Sequence, residues 1–369
     1  MIQYGEKMSN YEQKKPLISV IIPFYKGDKY VRQAVRSVLN QPYQGIELIL
    51  INDGSPTGNY ICESIAKTDD RIKYFLKQNE GIRATRNFGI EHASGAYLAF
   101  LDQDDVWVNN FLTQNTVKKI IEGGDIVGFS FFDCNNDLTR GNLVRMNARE
   151  ISGGGSAVRE CKNHHSSLFT SSDFLKRNRD VRYALTRHED IIYIQKALYL
   201  AKKITYIDKT MFLYRNNYTS ETHRKQYPQM LFGPLLKSWK ELLVWHEKKH
   251  TEDIEIIKFV KHMICVYAFE GVEALYQTGI DESRAEKLID EYLCRDFLDN
   301  YEDIVLSENR RIQIANYYQN RESFIRQQRK MGRRARFKSN MKALTVLNMI
   351  YDKKKYQEII PREYVNIRR

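Results

Sequence analysis

Between residues 16 and 135 the chain alternates short apolar runs with amphipathic stretches, and no other feature narrows its fold as much. Residues 17–25 (LISVIIPFY) are apolar and rich in β-formers, and Pro23 marks an expected strand end. Residues 28–40 change period: Tyr30, Val31, Ala34, Val35, Val38 and Leu39 share one helical face, which Pro42 closes. The pattern then repeats. Residues 47–51, 72–76, 97–101 and 126–132 read as strands, and residues 57–68, 81–93 and 109–121 as helices. Strands separated by helices of this length join through crossovers rather than hairpins. An α/β fold follows, with a mainly parallel sheet flanked by helices.

Downstream the pattern changes. Residues 135–162 read as loop around Gly153-Gly154-Gly155, and residues 166–224 are mixed. From about residue 227 the periodicity is helical, over 231–248, 253–276, 282–298 and 307–330. The expected organisation is a polar extension (1–15), an α/β unit (16–225, with halves 16–135 and 136–225), a helical accessory unit (226–320) and a basic amphipathic tail (321–369). The tail holds fifteen Lys/Arg and four Asp/Glu, a net +11 of the chain's +12, which leaves residues 1–320 at +1. A basic cluster (Arg326, Arg329, Lys330, Arg333, Arg334, Arg336, Lys338) leads into Phe337, Met341, Leu344 and Leu347 at helical spacing. That arrangement fits an anionic membrane surface or, equally, packing against another subunit.

Composition excludes several classes. With 42% hydrophobic residues the chain can build a core. Mean hydropathy is −0.55, and no run of about 18 apolar residues occurs, so a spanning helix is not expected. Residues 1–15 lack the apolar centre of a secretory signal. Five scattered cysteines without a C-x-x-C pair fit a reduced, cytoplasmic setting.

In open parallel sheets ligands bind beyond the carboxyl ends of strands. Three expected strand ends carry polar groups: Pro23-Phe24-Tyr25, Asn52-Asp53-Gly54-Ser55 and Asp102-Gln103-Asp104-Asp105. Three carboxylates within four residues repel one another, and a hard divalent cation such as Mg²⁺ or Mn²⁺ offsets that repulsion. The plainer reading is an acidic helix N-terminus, with Asp104 or Asp105 as a cap.

These segments, with Asn79-Glu80-Gly81-Ile82-Arg83-Ala84-Thr85-Arg86-Asn87 between them, resemble the family 2 glycosyltransferases in order and spacing, over roughly residues 16–224. The resemblance implies a glycosyltransferase A fold, a UDP-sugar donor, Mn²⁺ or Mg²⁺ and inversion at the anomeric carbon. Carried over by residue, Asp102 and Asp104 match the DxD motif. Asp104 would bind the metal, and Asp102 would lie by the ribose and metal. Asp105 falls behind them or caps a helix. Pro23 and Tyr25 would line the nucleoside, Asp53 would accept the uracil N–H, and Arg86 would lie near base and diphosphate. Asn52 stands where Asp is frequent.

In the second half, His188-Glu189-Asp190 precedes an amphipathic segment, and Arg215 and Ser220 follow a further strand. The resemblance implies Asp190 as the base that takes the acceptor hydroxyl proton, with Glu189 orienting acceptor or base. It also places Arg215 and Ser220 on the diphosphate side; His223, three residues on, reads as a further metal or phosphate ligand or equally as a plain surface histidine. His164-His165, read as one strand, would point to opposite faces with no further His or Cys at ligand spacing, which favours a structural or acceptor-lining role over a metal pair. The glycine triplet lacks the Lys-Ser/Thr of a P-loop and reads as a flexible loop beside the acceptor cleft. Trp239 and Trp245 read as core. The expected partners are a UDP-sugar donor, a glycan or lipid-linked glycan acceptor, and an anionic membrane surface or a second copy through 321–369. The expected place is therefore cytoplasmic, peripheral on the inner face of the membrane. No nucleic-acid motif appears, so nucleic acid is not expected. The competing readings are a nucleic-acid binder acting through the tail, from which thermal stabilisation by UDP with Mn²⁺ and none by an oligonucleotide separates the enzyme, and a catalytically degenerate scaffold, against which the intact Asp53, Asp102, Asp104 and Asp190 argue.

Overall fold

The structure, a computed structural model, describes residues 15–160, 164–184, 188–216 and 228–342. In its first part the chain builds β1 (Ile18–Phe24), α1 (Val31–Leu39), β2 (Ile46–Asp53), α2 (Asn59–Ala66), β3 (Ile72–Lys77), α3 (Ile82–His92), β4 (Tyr97–Phe100), β5 (Val106–Trp107), α4 (Gln114–Glu122) and β6 (Ile126–Cys134). Next come β7 (Gly141–Val144), β8 (Arg149–Ile151), α5 (Gly155–Glu160), β9 (Leu168–Ser171), α6 (Ser172–Arg177), α7 (Glu189–Leu200) and β10 (Ile204–Arg215). The sheet order is β3-β2-β1-β4-β9-β6-β10-β5, with β7 on β6 and β8 on β10. β1, β2, β3, β4, β6 and β10 run in one direction, while β9 lies antiparallel between β4 and β6. The expected mainly parallel α/β sheet is present. β1 and β2 are buried along their whole length because helices cover both faces, which is why their sequences show no polar alternation.

Local differences from the sequence reading have physical causes. Pro23 does not end β1, which continues to Phe24 opposite Asn52. The β4 ladder stops at Ile21 opposite Phe100, so the N–H that Pro23 lacks is not missed on that side. The segment expected as loop over 135–162 contains β7, β8 and α5, and the Gly triplet leads directly into α5. Gly153 is required by contact, because a Cβ there would sit 2.1 Å from the Ala201 carbonyl oxygen. The helix expected over 109–121 starts at Gln114, where the Thr113 hydroxyl caps Thr116 N–H.

Helices alone follow: α8 (Pro228–Lys249), α9 (Ile254–Gln277), α10 (Glu282–Tyr292), α11 (Arg295–Asp299), α12 (Glu308–Gln319) and α13 (Arg321–Lys342). Asp253, Asp281 and Ser307 cap α9, α10 and α12 through Ile256, Arg284 and Arg310 N–H. α9 is the apolar axis: Val260, Ile264, Ala268, Phe269, Val272 and Leu275 are buried against α8 and α13. One apolar cluster runs from Ile21 and Phe100 in the sheet through Ile192 and Leu198 of α7 into Trp239, Phe269 and Phe324. The stretch expected as a basic tail begins inside this core. Phe324 and Ile325 are buried, and Arg321 pairs with Glu282 and Glu286. On the described part of α13, Arg326, Lys330, Arg333 and Arg334 are exposed on the outer face. Phe324→Ala is therefore expected to cost about 3–5 kcal/mol in urea unfolding, the usual range for emptying a buried aromatic site; a loss below about 1 kcal/mol would place this turn outside the core. Among the described residues no helix is long and apolar enough to cross a membrane.

Candidate active site

The carboxyl ends of the parallel strands bring the acidic cluster, the β1 end and the β2 end to one edge. Because β9 is antiparallel, its first residues reach the same edge, and so does the start of α7. Asp102 follows β4, and its Oδ1 accepts from Arg86 Nη2 at 2.8 Å. Arg86, on α3, donates its other terminal nitrogen to Glu189 Oε1 at 2.5 Å. One guanidinium thus joins the first half of the predicted site to the second across 103 residues of sequence. The Arg86 side chain is 6% exposed and lies 5.2 Å over the Tyr183 ring, which stacks on Tyr193. Asn87 fixes Tyr183 by exchanging two hydrogen bonds with its backbone, at 2.9 and 3.0 Å.

The electrostatics follow from this burial. Burial pushes the Asp102 carboxyl up, but Arg86 and the histidines beside it outweigh that and hold it well below the ordinary carboxylate range. Asp105 goes the other way: burial, then Asp104 and Asp102, raise it well above that range. Asp105 caps no helix, since β5 follows it. Its Oδ1 accepts Arg215 N–H at 2.8 Å, tying β10 to the acidic turn. With no helix starting here, the plain capping explanation of the cluster loses its helix.

The histidine pair is a correction. His165 opens a short 3₁₀ turn, His165–Ser167, instead of continuing a strand, so the rings of His164 and His165 lie 4.7 Å apart rather than on opposite faces. Asp102, His164 and His165 each bring one ligand-type atom within 4.8 Å of the others. His165 Nε2 is 3.6 Å from Asp102 Oδ2, and its Nδ1 faces the Tyr183 hydroxyl at 3.3 Å. Burial, then His165, push His164 down to about 3, so its ring is neutral at physiological pH. The donor set of a carboxylate and two imidazoles fits a first-row divalent ion.

The remaining predicted residues fall as follows. Tyr25 is 40% exposed at the end of β1. Gln103, the middle residue of Asp-x-Asp, clasps it: Tyr25 N–H donates to Gln103 Oε1 and Gln103 Nε2 donates to Tyr25 C=O, both at 2.9 Å. Pro23 lies one residue inside β1. Asp53 is buried and accepts from Lys77 Nζ (2.8 Å), Glu80 N–H (3.0 Å) and Gly81 N–H (2.9 Å), so a nucleobase contact has to share this carboxylate. Arg215 is buried; its side chain donates to the carbonyls of Asp104 (2.6 Å) and Asn136 (2.5 Å) and to Gln33 (2.5 Å). Its guanidinium is thus committed to the protein in this state. Asp104 is half-buried and Asp190 half-buried in the first turn of α7. Ser220 and His223 lie outside the described residues. The sequence reading gave no role to Gln103, Asn87 or Tyr183 and set His165 aside. The spacing of 16 residues between Arg86 and Asp102 carries no local signal of their contact, and the turn at His165 has no proline or glycine to announce it.

A family model described as Glycosyl transferase family 2 matches residues 19–221, more than half of the chain. The uncharacterized glycosyltransferase EpsJ of Bacillus subtilis is 29% identical over 230 residues, covering 58% of this chain and 65% of EpsJ. Glycosyltransferase GlyG of Streptococcus pneumoniae is 27% identical over 285 residues, covering 66% of this chain and 94% of GlyG. The minor teichoic acid biosynthesis protein GgaB of Bacillus subtilis is 26% identical over 330 residues, 85% of this chain but 35% of GgaB. The match to EpsJ thus spans just under two thirds of that relative. Among solved structures, S. aureus TarS 1-349 in complex with UDP-GlcNAc aligns with a TM-score of 0.55 at 16% identity, over 87% of this chain and 91% of that one. At that identity the likeness is one of fold, the glycosyltransferase A arrangement followed by helices.

Proposed function

Since the chain belongs to glycosyl transferase family 2, we propose that it moves a sugar from a UDP-sugar to a hydroxyl of a glycan acceptor, with inversion. The observation that carries this reading is the Arg86 bridge, which draws Asp102 and the Glu189-Asp190 pair around one edge of the sheet. Glu189 is engaged by Arg86. Asp190, beside it at the positive end of α7, is left to act as base. The acceptor O–H proton passes to the Asp190 carboxylate as the oxygen forms its bond to the anomeric carbon. On the opposite side the bond from that carbon to the phosphate oxygen breaks, and UDP leaves with the electron pair.

Tyr25 offers a ring face to the base, and Asp53 shares its carboxylate with the uracil N–H. Asp102 and Asp104 would hold Mn²⁺ or Mg²⁺, with His164 and His165 supplying imidazole ligands that favour the transition metal. Such an ion supplies charge neutralisation to the departing diphosphate. Arg215 reaches the diphosphate only by giving up its carbonyl partners. The exposed cations of α13 support recruitment to an anionic membrane where a lipid-linked acceptor lies. TarS shares the fold and its structure contains UDP-GlcNAc, which makes that sugar nucleotide the first donor to test.

The test is UDP release from a panel of UDP-sugars with Mn²⁺ or Mg²⁺ present. Asp104→Asn is expected to remove most of the metal-dependent release, because it takes one charged ligand from the ion. Full activity in that variant would move the metal elsewhere.

A further inference from the structure

A second cluster of cations lies at the other end of α7, on the edge of the sheet opposite the catalytic residues. There a cleft of about 430 Å³ opens between α6, the segment after it and the end of α8. It is lined by Lys176, Arg177, Arg179, Lys249, Trp245 and His250, with Asp180 the one carboxylate in its wall. That carboxylate is already engaged, accepting from Trp245 Nε1 at 3.2 Å and pairing with Lys249. Lys176 and Arg177 are already paired, with Asp173 at 3.3 Å and with the buried Asp125 at 2.9 Å. Among the described residues Arg179 makes no ion pair.

Behind the cleft stands an unusual group. Lys196 is nine-tenths buried, and its Nζ lies 5.4 Å over the Trp245 ring. Among the described residues it has no carboxylate within ion-pair distance; Glu241 and Asp180 act on it only from further away. A lysine this far buried without a carboxylate beside it loses part of its hydration, which a nearby anion would compensate. The cleft wall adds an unsatisfied imidazole: His250 Nε2 is buried with no hydrogen-bond partner, and so is Nδ1 of the neighbouring His246. Trp245, Tyr199, His246 and His250 pack their rings within 4.5–5.8 Å of one another around this point.

We propose that this cleft is an anion site that takes a phosphate group, with Arg179 and Lys249 at its mouth and His250 in its wall. A tetrahedral oxyanion matches what the cleft offers: guanidinium and ammonium donors at its mouth and the Lys196 side chain close behind. The aromatic wall would pack on whatever apolar or sugar face carries the phosphate. The site is separate from the donor site. Leu200 in its wall and Glu189 at the catalytic edge are the two ends of α7, about 16 Å apart at the rise of an α-helix.

The experiment is calorimetric titration of inorganic phosphate into the full chain with UDP held saturating, which closes the donor site to it. One saturable event is expected, weakened at least tenfold in the surface variant Arg179→Gln/Lys249→Gln, with UDP binding unchanged. UDP titrated alone reports separately on the donor reading, so the two can fail independently. Lys196→Met is expected to weaken phosphate in the same way; should it not fold, the surface variant decides alone. Phosphatidylglycerol vesicles identify the source: sedimentation reduced by the double variant assigns a lipid headgroup, and unchanged sedimentation with reduced phosphate binding assigns a free or glycan-borne phosphate. No saturable phosphate event, or equal affinity in wild type and double variant, overturns the proposal.

Discussion

Asp190→Asn is expected to leave UDP binding intact while lowering turnover about 10²–10⁴-fold, the usual contribution of a positioned general base. The amide keeps the shape of the first turn of α7 but cannot accept the acceptor proton. The neighbouring Glu189 cannot substitute, because its Oε1 is bound to Arg86 at 2.5 Å and taking a proton there would weaken that contact. Steady-state kinetics with calorimetric UDP affinity check this. A variant that loses UDP affinity, or that turns over at near the normal rate, would assign Asp190 to donor binding or to capping α7.

Arg86→Met is expected to have the largest effect on stability. Arg86 is the shared partner of Asp102 and Glu189, and its side chain is only 6% exposed. Removing one member of a buried ionic group leaves uncompensated charge and costs about 3–5 kcal/mol. The pH dependence distinguishes this from lost packing. In the wild type Asp102 is held below its ordinary value, so its contribution is fully present above about pH 4 and disappears as pH falls through the lower folded value. Without Arg86 the strongest charge opposing burial is gone, so Asp102 rises from its wild-type value and the acid limb of the stability curve moves to higher pH. Urea unfolding across pH 3–8 measures both. An unchanged acid limb in the variant would show that Arg86 does not set the charge of Asp102.

Much of the catalytic half was legible because its information is local. The strands of β1, β2, β4 and β6 are short apolar runs closed by polar strand ends, and the acidic turn follows β4 directly. The contacts that complete the site are not local. β9 enters antiparallel between β4 and β6, and only that topology brings His165 to Asp102. Its sequence, Leu168–Ser171, has four residues and no period to read. Gln103 shows the same limit: as the variable residue of a motif it carries no pattern, yet its amide sets where Tyr25 stands. The end of the helical unit was hard to read for a different reason. Charge dominates residues 321–342 in sequence, while two buried apolar residues, Phe324 and Ile325, decide how that helix packs.

The central claim is that this edge of the sheet holds a UDP-sugar with the help of a divalent ion. Calorimetric titration of UDP into the full chain, with and without Mn²⁺, tests it most directly. The account predicts one saturable site whose affinity rises when Mn²⁺ is present and which loses that dependence in Asp104→Asn. No saturable heat from UDP in either condition would contradict it.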